Sequence, residues 1–90
     1  LDPAIEHNSD AAILRALYTD ALVYQCHGHE AEQGFSATDT IRAGRLQPCW
    51  HPLLEQLLNH CVQQGYYQEV SGPTVSRMYR PHRVLPYTKR

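Results

Sequence analysis

The sequence lacks long apolar stretches. Its longest apolar runs, such as Ala21–Tyr24, are four residues long, whereas a helix that spans a bilayer needs about 20 apolar residues. A basic start followed by an apolar stretch, the pattern of a signal peptide, is absent as well. The chain also begins at Leu1 without an initiator methionine. We therefore expect a segment of a longer protein that does not enter a membrane.

Glycine and cysteine are both scarce, and each scarcity excludes a class of site. The five glycines lie far apart, so none forms the glycine-rich turn that cradles a nucleotide or S-adenosylmethionine. Cys26, Cys49 and Cys61 are odd in number and cannot all pair in disulfides within the chain. Free thiols are typical of a reducing compartment, so we expect the protein to be cytoplasmic.

Histidine is frequent, and some histidines lie next to cysteines. Cys26 and His29 have a spacing that zinc sites use, whereas Cys49 and His51 are too close together for the usual structural site. A thiol nucleophile would need a base and an orienting group in a cleft, and no catalytic pattern stands out. We predict no cofactor, no metal and no enzymatic activity, with a zinc site at Cys26 and His29 as the alternative.

Charge is unevenly distributed along the 90 residues, a length that suits one domain. Residues 1–40 carry seven acids and one base, a net charge of −6, and residues 41–90 carry seven bases and two acids, a net charge of +5. We predict a single domain over residues 1–90, with an ordered core at about residues 9–80 and a basic tail at residues 81–90. The asymmetry indicates either an ordinary dipole or an attachment surface.

Three segments have the apolar spacing of helices. They run from Ala11 to about Cys26, from Ala37 to about Ala43, and from Pro52 to Gly65. The second begins with a capping-box pattern, Ser36 followed by Asp39. The predicted buried face of the first helix is Leu14, Leu17, Tyr18, Ala21, Leu22 and Tyr24. The predicted buried face of the third helix is Leu53, Leu54, Leu57, Leu58, Cys61 and Val62.

The last third of the chain predicts a β-hairpin. Tyr66–Val70 alternate in polarity, Ser71–Pro73 have the composition of a turn, and Thr74–Tyr79 form a second candidate strand. A two-stranded hairpin is marginal alone, so it must pack on the helices. The order of three helices and then a hairpin predicts an α+β fold with a winged-helix-like architecture.

Several segments carry a resemblance to a known family: Tyr18–Tyr24, Phe35-Ser36, His51–Leu58 and Gly65–Tyr67. Together they resemble the helical, winged-helix-like segment that precedes the catalytic core in methyltransferase domains of modular polyketide synthases and related megasynthases. The similarity covers roughly residues 14–70. The glycine-rich loop that binds S-adenosylmethionine in that family is missing here. The resemblance therefore implies an accessory piece without the enzyme, which serves for docking or recruitment in an assembly line.

The basic end of the chain is the predicted attachment surface. Arginine beside aromatic residues is typical of interface anchors, and the resemblance implies an acidic carrier protein or docking segment as the partner. An alternative role is that of a strand edge kept charged against aggregation. The predicted partner-binding residues are Arg77, Tyr79, Arg80, Arg83, Lys89 and Arg90. Trp50 and Tyr87 are further candidates, although a tryptophan just before a helix, as Trp50 is here, is more often a core residue.

Two other functions stay open at this point. A winged helix of a transcription regulator places its recognition helix in a DNA groove, but the third helix here offers no Lys or Arg on its outer face. Phosphate contacts dominate nucleic-acid affinity, so the pattern favours a protein partner over DNA. The remaining alternative is an accessory lid of a methyltransferase whose core lies elsewhere. The partner and the oligomeric state are left open by the sequence.

Overall fold

The structure, a computed structural model, describes residues 10–70 and 77–85. Over these residues the chain forms three α-helices, two short 3₁₀ helices and three strands. In chain order they are α1 (Asp10–His27), the first 3₁₀ helix (Gly28–Gln33), β1 (Phe35–Ser36), α2 (Ala37–Gly44), the second 3₁₀ helix (Pro48–Trp50), α3 (His51–Gln63), β2 (Tyr67–Val70) and β3 (Met78–Pro81). The predicted α+β fold of three helices and a hairpin is confirmed.

The sheet has three antiparallel strands in the order β1–β3–β2, with β3 in the centre. Tyr79 of β3 lies opposite Phe35 on one side and Glu69 on the other, and Arg80 lies opposite Gln68. Because successive side chains of a strand point to opposite faces, Tyr79 and Arg80 project from different faces of the sheet. This alternation separates the core side of β3 from its surface side.

Two details of the predicted strands are corrected. The sheet contains β1, a strand of only two residues that is too short for any periodicity to reveal it. The last strand runs over Met78–Pro81, so it starts four residues later and ends two residues later than the predicted segment. Part of that predicted segment, residues 74–76, lies outside the described residues. Pro81 belongs to β3 and Leu85 belongs to the buried core, so these two residues of the predicted basic tail pack with the rest of the fold.

The core lies between the sheet and the helices. Three aromatic rings of the sheet meet there: Phe35 contacts Tyr67 edge-on with ring centroids 6.1 Å apart, and Tyr79 at 6.4 Å. Leu54 and Leu58 of α3 pack in the same cluster. Buried aromatic pairs of this kind contribute about 0.5–1.5 kcal/mol beyond the burial of their apolar area. The marginal hairpin is thus held by the helices, as its length requires.

The predicted face of α3 is confirmed at its centre. Leu54, Leu58 and Cys61 are buried, one helical turn after another. Leu53 is 44% exposed, so the stripe is narrower than predicted and starts one residue later. Pro52 lies in the first turn of α3, where its missing N–H is not needed.

The predicted face of α1 is wrong at Leu14, Tyr18 and Ala21, which are exposed, whereas Leu17, Leu22 and Tyr24 pack partly buried against the core. Leu14 and Tyr18 are 64% and 57% exposed, although both were expected in the core. The buried residues of this helix are Ala12, Ala16, Thr19, Asp20 and Val23. Apolar residues lie all around α1, so the spacing alone does not select a side. Small alanines face the neighbouring elements, and Asp20 is tolerated because the hydroxyl of Tyr67 donates to its carboxylate at 2.8 Å.

The start of α2 is the predicted capping box. The backbone N–H of Asp39 donates to Oγ of Ser36 (3.1 Å), and the backbone N–H of Ser36 donates to Oδ2 of Asp39 (3.0 Å). At the other end, a Cβ at Gly44 would lie 2.7 Å from Sγ of Cys26. Glycine therefore lets α2 approach α1 closely at this point.

Candidate binding site

Three arginines lie in β3 or close to it along the chain. Each is held by a residue that lies in β2 or shortly before it. We call Arg77, Arg80 and Arg83 the arginine row. Nε of Arg77 lies 3.7 Å from Oε1 of Glu69, in an exposed ion pair. Arg80 and Arg83 are held instead by uncharged groups, so within residues 10–70 and 77–85 neither is paired with a carboxylate. The predicted basic surface therefore has its unneutralised charge at its C-terminal end.

Arg80 is held by Gln68, its neighbour across the hairpin. With its amide nitrogen turned toward His82, Gln68 donates to Nδ1 of His82 at 2.9 Å. Its amide oxygen then accepts from Nε and Nη2 of Arg80 at 2.9 and 2.8 Å. The arrangement places the His82 proton on Nε2, because Nδ1 accepts. Arg80 is thus oriented before any partner arrives, which reduces the entropy lost on binding.

Arg83 is held at the turn that follows α3. Its Nη2 donates to the backbone oxygen of Gln64 at 3.2 Å, and its guanidinium carbon lies 5.5 Å from the ring centre of Tyr66. The backbone N–H groups of His82 and Arg83 both donate to the Tyr66 carbonyl, at 2.8 and 3.0 Å. Gly65 has φ +85°, and a Cβ there would lie 2.9 Å from Nη2 of Arg83. The positive φ therefore favours glycine at this position, and a side chain there would displace the guanidinium of Arg83 from its present place.

A cleft of about 450 Å³ opens beside these two arginines. One wall comes from α1 and the first 3₁₀ helix, and the other from β3 and the residues after it. We call it the arginine cleft; its lining residues are Tyr24, Glu32, Arg80, Pro81, His82, Arg83 and Val84. Burial raises the pKa of Tyr24, and the nearby carboxylate of Glu32 raises it further. At neutral pH the cleft therefore contains two guanidinium groups, a neutral phenol, one carboxylate and an apolar rim.

The predicted partner-binding residues do not all share this surface. Arg80 and Arg83 line the cleft, whereas Arg77 precedes β3 and is not part of the lining. Tyr79 is 0% exposed, and its hydroxyl donates to Oδ1 of Asn59 at 3.0 Å. The expectation that Tyr79 contacts a partner is therefore corrected: it is a core residue, because it points to the opposite face from Arg80. Lys89, Arg90 and the further candidate Tyr87 lie outside the described residues.

Sequence reasoning missed Tyr24, Glu32 and His82, which line the cleft, and Gln68, which orients Arg80. Gln68 is the clearest case, because the register of the hairpin alone would have paired it with Arg80. Glu32 carried no such signal, since it lies in a short polar segment that the structure folds into the first 3₁₀ helix. Trp50, the remaining candidate, is exposed at the second 3₁₀ helix and does not fill the core.

The cysteines offer little chemistry in this arrangement. All three are free. Burial raises the pKa of Cys61 to about 11, despite a hydrogen bond with Thr19 that acts the other way, and burial also raises the pKa of Cys26. Thiols with raised pKa values are poor nucleophiles because the thiolate is the reactive form. In the part of the chain that the structure describes, no three His, Cys, Asp or Glu side chains cluster as metal ligands would.

Comparison with known proteins gives no relative for this chain. No family model, no curated protein and no solved structure matches it. None of the helices in the described residues has the length and apolar character to cross a membrane. The interpretation of the arginine cleft therefore rests on its own charges and contacts.

Proposed function

We propose that this chain is a non-catalytic, winged-helix-like docking module that binds an acidic segment of a partner protein. The observation that carries the proposal is the pair Arg80 and Arg83: both line one cleft, and both are held in place by uncharged partners. Oriented guanidinium groups are suited to carboxylates, which they bind through paired N–H donors. Arg77 extends the surface, weakened by its ion pair with Glu69.

A protein partner is favoured over DNA by the composition of α3. Between His51 and Gln63 this helix has no Lys or Arg, and its outer side carries Gln56 and Gln63 as exposed polar groups. A recognition helix needs positive charge near it, because phosphate contacts supply most of the affinity for nucleic acid. The basic groups lie on β3 and beyond instead.

The setting that we propose is cytoplasmic, within a polyketide or hybrid peptide–polyketide synthase. The partner would be an acidic carrier protein or the terminus of a neighbouring subunit. This part of the proposal is supported by the family resemblance of residues 14–70. A role without catalysis is supported by the raised pKa values of Cys26 and Cys61, which keep both thiols protonated.

The test is a titration of the isotope-labelled chain with the neighbouring carrier protein or subunit terminus. We expect amide shifts around residues 77–84, and a Kd that rises at least about tenfold in the Arg80→Gln/Arg83→Gln double variant, equivalent to about 1.4 kcal/mol. Arg15→Gln, at an exposed position on α1, is the matched control and should leave the Kd unchanged. Affinity should also fall with added salt.

Two outcomes would contradict the proposal. One is a partner that binds without shifting any resonance from Arg77 to Arg83, which would place the interface elsewhere. The other is tight binding of a DNA duplex with a steep salt dependence in a gel-shift assay, which would indicate phosphate contacts and support the transcription-regulator alternative.

A further inference from the structure

The arginine cleft contains a negative group as well as two positive ones. Glu32, at the end of the first 3₁₀ helix, is exposed and lines the cleft together with Arg80 and Arg83. Within the described part of the chain, no cationic side chain lies within ion-pair distance of Glu32. Together, Arg80, Arg83 and Glu32 give the cleft a net charge of +1. Such a site accepts one negative charge, and a second charge would be repelled by Glu32.

Both guanidinium groups keep donors for a ligand. Arg80 uses Nε and one N–H of Nη2 on Gln68, and Arg83 uses one N–H of Nη2 on Gln64. A guanidinium has five N–H donors, so Nη1 of each arginine is not engaged by these contacts. Nε2 of His82 adds another donor on the same side. This set can satisfy the two oxygens of one carboxylate, which accepts about four hydrogen bonds.

The size and the rim of the cleft suit a short extended segment. A volume of about 450 Å³ is at the small end of the range for ligand pockets, about 300–1,000 Å³. It holds a few side chains rather than a packed helix. Val84 is largely exposed at its edge, next to Pro81 and the ring of Tyr24. These apolar groups would contact apolar neighbours of an inserted carboxylate.

Resting on the docking function proposed above, we infer that the cleft binds a single aspartate or glutamate side chain of an extended, partly apolar partner segment. Glu32 makes the site selective, because it disfavours doubly charged phosphate groups. The partner recognised in this way is an acidic peptide that is not phosphorylated. Arg80 and Arg83 bind the carboxylate, and Glu32 disfavours binding of a phosphate group in its place.

Three capped pentapeptides test this selectivity on the full 90-residue chain. They differ only in the central residue, which is aspartate, asparagine or phosphoserine, with leucine on each side. Amide shifts and Kd values are measured by NMR titration. We expect the aspartate peptide to shift the signals of residues 80–84, the asparagine peptide to leave them unchanged, and the phosphoserine peptide to bind no more tightly than the aspartate peptide.

The variant Glu32→Gln sharpens the test, with Glu30→Gln, an exposed acid on the same helix that does not line the cleft, as the control. Removal of one negative charge from the cleft lining should favour the phosphoserine peptide over the aspartate peptide by at least about threefold. Glu30→Gln should leave the ratio unchanged. Both positions are exposed, so both variants should keep the wild-type spectrum elsewhere.

Several outcomes would overturn the inference without touching the docking function, which is measured separately with the protein partner. If the wild-type chain binds the phosphoserine peptide severalfold more tightly than the aspartate peptide, the cleft is a phosphate site. An equal ratio in wild type and Glu32→Gln would remove the role of Glu32. No shift at residues 80–84 with any peptide would mean that the cleft does not bind acidic segments on its own.

Discussion

Tyr79 and Arg80 are neighbours in β3, yet they belong to two different environments. Tyr79 is enclosed by the sheet and helices, and its hydroxyl is bonded to Asn59. Arg80 is exposed on the other face and is bonded to Gln68. Both side chains have a hydrogen-bond partner, so burial decides whether such a contact stabilises the fold or only orients a group on the surface.

The same contrast extends to the polar groups around each residue. On the buried side, Tyr67 donates to Asp20 at 2.8 Å, and within residues 10–70 and 77–85 no buried side-chain N or O atom lacks a hydrogen-bond partner. Breaking such a bond leaves a group that water cannot reach. On the exposed side, water replaces any partner that is lost. The buried bonds should therefore control stability, and the exposed ones should control binding.

The largest effect is expected from exchanging the two neighbours for alanine in turn. Tyr79→Ala removes a fully buried ring and should lower the free energy of unfolding by about 3–5 kcal/mol. Arg80→Ala removes an exposed side chain and should change it by no more than about 0.5 kcal/mol. Chemical denaturation followed by circular dichroism measures both. Equal effects of the two substitutions would erase the distinction between the faces.

An intermediate effect on stability is expected from removing a single buried hydroxyl group. Tyr67→Phe keeps the ring but removes the donor to the buried carboxylate of Asp20, so the free energy of unfolding should fall by about 1–3 kcal/mol. Tyr18→Phe makes the same chemical change on the exposed side of α1 and should be close to neutral. If Tyr67→Phe has the same free energy of unfolding as the wild type in this denaturation assay, the buried hydrogen bond contributes little to stability.

The smallest effect concerns pH. His27 packs against Phe35 with ring centroids 4.9 Å apart, and its Nε2 donates to Oγ1 of Thr40 at 2.9 Å, since that hydroxyl already donates to the Ser36 carbonyl. Burial lowers the pKa of His27, although Asp39 and Glu30 act the other way.

The unfolded chain therefore takes up this proton first as the pH falls below about 6.5. Stability should decline from pH 7.5 toward pH 5, with a contribution from His27 below about 1.4 kcal/mol per pH unit. Denaturation midpoints at several pH values measure the slope. His27→Gln should reduce the slope, whereas the exposed-site variant His29→Gln should not. A slope that is the same in all three proteins would exclude His27 as its source.

The predictability of the helices differed for a physical reason. In α3, leucines alternate with polar residues at helical spacing, so Leu54 and Leu58 could be placed in the core from sequence alone. In α1, the buried side is made by Ala12, Ala16, Thr19 and Asp20, none of which is strongly apolar, together with Val23. They are buried because neighbouring elements approach α1 closely on this side and because Tyr67 donates a hydrogen bond to Asp20. Such partners come from distant parts of the chain, which local spacing does not contain.

The candidate site was half predictable for a related reason. The cationic residues Arg80 and Arg83 are visible in the sequence as charge without compensating acids. Their orientation depends on Gln68 and Gly65, and the selectivity inferred for the cleft depends on Glu32. These residues become neighbours only through the hairpin register and the position of the first 3₁₀ helix. A one-residue error in register would have paired Arg80 with the wrong residue.

The alternation along β3 also limits how this chain can change in length. Inserting or deleting one residue just before Tyr79 would exchange the two faces, so that an arginine would enter the core and a tyrosine would leave it. Genetic variation that alters length within Met78–Pro81 should therefore be purged, even when every inserted residue favours a strand. Substitution at Arg80, by contrast, is open to change whenever the partner changes.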